Sequence, residues 1–166
     1  MKAALLVLVL LVQTVQCQFP HYGASGLKYL NSVRAYLADK QQIANMNKVE
    51  YNSDLENVIY SQLLLTGNCP DQKLIYLESN GIPIEVYLKT NVGLDEMDLE
   101  FANKFSGGAG KTQMGHVVTR CMVTGYEVKS YAFFTTKDQD LHGAPGSKCP
   151  SGRKTTINGL CALEKS

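Results

Sequence analysis

Residues 45–62 read Asn-Met-Asn-Lys-Val-Glu-Tyr-Asn-Ser-Asp-Leu-Glu-Asn-Val-Ile-Tyr-Ser-Gln, and the change of pattern inside this stretch organises the rest of the chain. Met46, Val49 and Tyr51 alternate with the polar residues Asn45, Asn47 and Glu50, as in an extended turn. From Ser53 onward Leu55, Val58, Ile59 and Leu63 recur at helical spacing, which predicts a helix that lays one apolar stripe against a core. Ser53 and Glu56 have the spacing of a capping box, in which each side chain satisfies a backbone N–H that the first helical turn leaves unpaired. An extended turn feeding a capped amphipathic helix is the expectation.

At the N-terminus Lys2 precedes the unbroken apolar run Ala3 to Val12, followed by Thr14-Val15-Gln16-Cys17. This pattern predicts a secretory signal peptide over residues 1–17. Its rival, a membrane anchor, needs roughly 20 apolar residues. A lipoprotein signal conflicts with Gln16, which stands where a small residue should precede the cysteine. No later segment is apolar enough to span a membrane. Removing residues 1–17 takes away one of the 16 basic residues and leaves 15 against 15 acids. A neutral chain without a basic block offers nothing to nucleic acid or to an anionic membrane surface.

Before the opening stretch, Leu27, Leu30, Val33 and Leu37 share one side of a helix running from Ser25 to about Gln41, with Ser25 as its cap and Lys28, Arg34 and Lys40 on other sides. After it, Gly67-Asn68-Cys69-Pro70 ends the second helix. Leu74 to Leu77 and Ile82 to Leu88 then read as strands of a hairpin turning at Ser79-Asn80-Gly81. Residues 94–101 alternate Leu94, Met97, Leu99 and Phe101 with Asp95, Glu96, Asp98 and Glu100. That segment is ambiguous between a short acidic helix and irregular chain, with helix favoured. Gly107-Gly108-Ala109-Gly110 is loop. His116 to Val123 and Glu127 to Phe134 are two more strands turning at Thr124-Gly125, and beyond Thr136 the expectation is an extended tail.

Export leaves four cysteines, Cys69, Cys121, Cys149 and Cys161, which read as two disulfides rather than a thiol nucleophile. Four cysteines allow three connectivities, and composition does not choose among them. The absence of a CxxC pair argues against zinc. Gly107 to Thr112 has the flavour of a phosphate loop, but Phe105 occupies the position of the required first glycine. No Gly-x-Ser-x-Gly elbow supports a Ser/His/Asp triad. No Asn-x-Ser/Thr sequon and no internal repeat occurs.

Three pieces of the chain resemble the CAP family, also called SCP/TAPS, of cysteine-rich secretory, antigen 5 and pathogenesis-related 1 proteins. Asn45-Met46, the hydrophobic step to Tyr51, and Asp54-Leu55 with its helix resemble the family's second helix. Met114-Gly115-His116-Val117-Val118-Thr119-Arg120-Cys121 is similar to the family's Ile-Gly-Cys strand, with His116 in the place of the first cysteine. Tyr131 to Phe134, Gly143-Ala144-Pro145, Cys149-Pro150-Ser151-Gly152 and Asn158-Gly159-Leu160-Cys161 resemble its last strand, Gly-x-Pro loop and cysteine-containing ending. The likeness covers roughly Leu27 to Cys69 and Thr112 to Cys161 and lapses between Cys69 and Lys111.

What the resemblance implies is an abbreviated CAP-like α-β-α sandwich with a mostly antiparallel sheet and a disulfide-closed tail, organised as signal peptide 1–17, domain 18–145 and tail 146–166. In the family the cysteine ending helix two pairs with the second strand cysteine, which implies Cys69 with Cys121 and leaves Cys149 with Cys161. His116 and Ala132, or the latter's neighbour, stand where the family's inner pair would be. Many CAP domains hold two His and two Glu around a central cavity, a set suited to a divalent metal. None of the three histidines here, His21, His116 and His142, falls on those positions. Glu78, Glu85, Glu96 and Glu100 lie in the right region but read as solvated acids. No catalytic residue, metal ligand or cofactor is expected. The implied function is non-enzymatic extracellular binding of a protein partner; the alternatives are a lipid or sterol carrier and, last, a secreted hydrolase.

Overall fold

The computed structural model describes residues 23–71, 73–90 and 105–164. The expected signal peptide, His21, Glu96 and Glu100 lie outside them, as does the expected helix at 94–101. Two helices and seven strands follow in the order α1 Gly23–Gln41, β1 Glu50–Tyr51, α2 Asp54–Leu64, β2 Lys73–Ser79, β3 Ile82–Thr90, β4 Lys111–Arg120, β5 Glu127–Thr135, β6 Arg153–Thr155 and β7 Cys161–Leu163. A five-stranded sheet has the order β1-β4-β5-β3-β2, and β6 and β7 form a separate pair. Only β1 runs parallel to its neighbour; the other ladders are antiparallel.

Side-chain alternation explains why a helix lies on each face of this sheet. Val117 and Ala132 turn one way, into a core with Leu55, Ile59 and Leu63 of α2 and Ile84, Val86 and Leu88 of β3. Met114, Tyr131 and Phe133 turn the other way and pack with Leu30 of α1, Val49 and Phe105. The α-β-α sandwich is therefore the observed architecture. Gly115 sets its thickness on the α2 side: a Cβ there would lie 2.6 Å from the Leu55 Cβ and 2.9 Å from the Leu55 carbonyl carbon.

The helix starts differ from expectation. α1 begins at Gly23, so Ser25 is inside it rather than capping it. α1 is closed just past its end by Gln42, whose φ of 54° lets the Ile43 N–H bond the Ala38 carbonyl at 2.9 Å. Before α2, Ser53 already has helical angles and makes no side-chain cap bond. Asn52 caps instead, its Oδ1 accepting from the Asp54 N–H at 2.9 Å. Glu56 does not reach back, because the Tyr51 hydroxyl, a half-buried donor, takes its carboxylate. The capping box is thus replaced by an Asn turn and a Tyr–Glu bond.

The hairpin of β2 and β3 turns at Asn80-Gly81, both with positive φ (51° and 77°), the geometry that matches strand twist in a two-residue hairpin. β4 starts at Lys111, earlier than expected, and stops at Arg120 rather than Val123. It stops there because residues 121–126 fold into a turn, with the Cys121 N–H bonding the Tyr126 carbonyl and the Gly125 N–H bonding the Cys121 carbonyl.

The tail is not extended. Asn45 holds it on both sides, donating Nδ2 to the Gln139 carbonyl and accepting from the Leu141 N–H. Further along, the Cys161 N–H bonds the Met46 carbonyl and the Lys48 N–H bonds the Cys161 carbonyl. Leu160 joins Leu37, Ala38, Ile43 and Met46 in a third core cluster. Residues 43–48 act as a strand shared by body and tail, so a buried polar side chain and backbone pairing fix a segment whose own composition reads as loop.

Candidate functional site

Glu85, read from sequence as a solvated acid, is half-buried and held in an ion pair. It projects from β3 beside Tyr87, and the Lys111 ammonium at the start of β4 donates to its carboxylate. The Tyr87 hydroxyl donates to the same Glu85 oxygen at 2.9 Å. The Lys111 Nζ also lies 4.8 Å from the centre of the Phe133 ring and 5.3 Å from that of Tyr87, within cation–π reach. Burial pulls Lys111 below the ordinary lysine range while the Glu85 charge opposes the fall. Burial together with Glu85 raises Tyr87 well above the usual phenol range. Phe105 fills the remaining space, edge-on to Tyr87, Tyr131 and Phe133 with centroids 4.9 to 5.1 Å apart. This is a satisfied ion pair sealed by aromatic rings, with its three polar groups committed to one another.

The glycine loop is held from below by Arg34. The expectation that Arg34 sits off the apolar side of α1 is corrected: it is fully buried, between Leu30 and Ala38 at four-residue spacing. Its guanidinium donates to the carbonyls of Asn47 at 3.0 Å, Gly108 at 3.1 Å, Lys111 at 3.3 Å and Ser106. Burial pushes its pKa down to about 9, opposed by the charge of Asp140, so it stays protonated at neutral pH. Asp140 accepts from the Ala109 N–H. With its carbonyls turned to Arg34, its Ala109 N–H bound to Asp140 and Lys111 bound to Glu85, the loop is a structural turn rather than a phosphate cradle. An arginine flanked at ±4 by apolar residues was the sequence signal for this anchor.

The histidines do not converge. His116 on β4 pairs across the ladder with Tyr131 and stacks on it, ring centroids 4.4 Å apart and planes 10° from parallel. Tyr131, the neighbour of Ala132, is therefore what faces the position of the family's first strand cysteine. Burial, with a smaller contribution from Lys129, lowers the His116 pKa to about 4. His142 sits in the tail, bridged to Ile43. Among the described residues no group of three or more His, Cys, Asp or Glu is placed to hold a metal ion, and no helix is long and apolar enough to cross a membrane.

Two disulfides tie these parts together. Cys69, just after α2, is bonded to Cys121 at the end of β4, with Cα atoms 4.7 Å apart. Cys149 is bonded to Cys161, with Cα atoms 5.3 Å apart. The second closes a tail loop whose outer turn, Ile157-Asn158-Gly159, lines an open groove of about 480 Å³ together with Ser32, Ala35 and Asp39 of α1 and with Pro145. Gly159 lets the turn approach closely: its φ is 73°, and a Cβ would lie 2.6 Å from the Pro145 Cβ. Ile157 on this turn is fully exposed. The cysteine spacing marked the loop, but nothing in the sequence placed it against α1.

No protein-family model matches the sequence, and no curated protein matches it significantly. Among solved structures, the crystal structure of hookworm platelet inhibitor is similar at a TM-score of 0.58, with 16% identity over 85% of this chain and 90% of that one. Venom allergen-like protein 4 of Schistosoma mansoni gives a TM-score of 0.47 and 12% identity over 75% of this chain and 96% of that one. Both are CAP proteins.

Proposed function

We propose, for a chain whose fold is CAP-like, that it is a secreted protein acting by non-enzymatic extracellular binding of a protein partner. One observation carries this reading: the groove between α1 and the tail has a fully exposed isoleucine, Ile157, at its lip. A large apolar side chain held clear of its own fold is a ready anchor for a partner surface. The Cys149–Cys161 bond and the Arg153 guanidinium, which donates to the Cys161 carbonyl at 3.0 Å, restrain the hairpin that presents it. Such restraint reduces the ordering cost of binding. The α1 face of the sheet is packed with aromatic rings and the Lys111–Glu85 pair, which supports this reading over a carried lipid or a catalytic cleft on that face.

The test uses secreted protein with a photoreactive group at residue 32, on the α1 wall of the groove. Mixed with extracellular proteins, it should label one protein saturably, and Ile157→Asp should weaken that labelling by roughly ten-fold or more. Tyr76→Ser, on the exposed surface of β2, should leave it unchanged. Stoichiometric lipid in an organic extract, with no saturable protein, would contradict the reading and favour a carrier.

A further inference from the structure

The Cys69–Cys121 bond joins two chain reversals, the end of α2 and the β4–β5 turn, at one end of the sandwich. Leu64 and Leu65 stand on the first, and Met122, Val123 and Tyr126 on the second, each between 75% and 87% exposed. No ionic side chain occurs from Asn57 to Pro70 or from Cys121 to Tyr126. The polar residues among the five are hydroxyl, amide and glycine: Thr66, Gly67 and Asn68 on one turn, Thr124 and Gly125 on the other. Charge resumes at the base of the turn, where Arg120 faces Glu127 across the ladder. Hydrogen bonds and the disulfide brace both turns. The Asn68 N–H and the Thr66 hydroxyl bond the Leu63 carbonyl at 3.0 and 2.9 Å, and the disulfide prevents the two from separating.

We propose that this tip is a membrane-docking device which inserts its five apolar side chains into the interfacial region of an electroneutral lipid bilayer. Three features select lipid over a protein groove. The side chains stand on two separate reversals, so a protein would need a cleft matched to both, whereas a fluid interface closes around them. Hydroxyls and amides without formal charge suit the headgroup depth, where Tyr also settles and where an ion would be costly. The negative surface potential that basic segments seek belongs to the cytoplasmic leaflet, and a tip without cations, on a chain that is neutral once residues 1–17 are removed, matches a surface lacking that potential.

The test is sedimentation of the oxidised secreted protein with phosphatidylcholine vesicles, at physiological and at high salt. The expected result is saturable partitioning that high salt does not weaken. Leu65→Asp and Val123→Asp, at positions too exposed to support the fold, should each lower the partition coefficient by roughly ten-fold or more, while Tyr76→Ser leaves it unchanged. Circular dichroism establishes that the variants are folded. Wild-type protein that stays in the supernatant would overturn the proposal, as would aspartate variants that partition like wild type or binding abolished by salt. Loss of labelling of a protein partner by the tip variants, without vesicle binding by wild type, would also overturn it and assign the tip to that partner.

Discussion

Replacing Gly115 by alanine probes a close approach of α2 to the sheet. The new methyl group would lie 2.6 Å from the Leu55 Cβ, 2.9 Å from the Leu55 carbonyl carbon and 3.0 Å from the Glu56 nitrogen. Two of those three atoms are helix backbone, so no rotamer change relieves the contact and the first turn of α2 must move off the sheet. Leu55, Ile59 and Leu63 would move with it, loosening the core they form with Val117 and Ala132. Overpacking of this kind costs about 1–3 kcal/mol, and the removal of a glycine from a strand returns about 0.5–1 kcal/mol. The net expectation is a loss of about 1 kcal/mol, or roughly 2–4 °C in Tm for a chain of this size. Urea unfolding with both disulfides intact measures it. An unchanged or raised midpoint, with an unchanged m-value, would show that α2 does not rest on Gly115 and would refute the packing derived above.

Three further predictions concern the cap, the ion pair and the stacked histidine. Asn52→Ala should cost about 1 kcal/mol and Ser53→Ala less than about 0.5 kcal/mol, because the Asn52 side chain accepts from the first turn of α2 and the Ser53 side chain does not; the reverse order in urea unfolding would restore Ser53 as the cap. Glu85→Ala should cost about 3 kcal/mol by stranding the buried Lys111 ammonium, while Glu85→Leu combined with Lys111→Met should recover most of that loss; a double variant no more stable than Glu85→Ala would contradict it. The His116 pKa is lowered in the folded state to about 4 from an ordinary 6.5. The unfolded chain therefore takes the proton first as pH falls, so the stability is complete above about pH 6.5 and is lost progressively toward pH 4, by up to about 3 kcal/mol. His116→Gln should flatten this part of the pH profile, and identical profiles for the two proteins would place the titration elsewhere.

Elements whose own residues carry the period were legible in the sequence. The Leu55–Ile59–Leu63 stripe, the Asn80-Gly81 hairpin and the strand around Tyr131 depend on local pattern and turn chemistry, and the structure has them where the pattern puts them, whereas β4 lies several residues earlier than its pattern. What escaped depends on partners distant in sequence. Arg34 is a surface residue by type, and becomes a core residue only because four carbonyls from 47 and 106–111 converge on it. Glu85 is paired rather than solvated because the buried Lys111, 26 positions away, reaches it across β5. The Ser53–Glu56 spacing fits a capping box, but spacing carries no information about the competing Tyr51 hydroxyl. The tail reads as extended because its order comes from Asn45 and from residues 44–48, nearly a hundred positions earlier.

The account stands most directly on α2 being stapled to the end of β4, since that bond joins the two halves of the CAP-like likeness across the unmatched middle and builds the apolar tip. Non-reducing proteolysis followed by mass spectrometry measures it. The prediction is a Cys69 peptide linked to a Cys121 peptide and a Cys149 peptide linked to a Cys161 peptide. Recovery of Cys69 joined to Cys149 or Cys161 would contradict the fold, and with it both the groove and the tip.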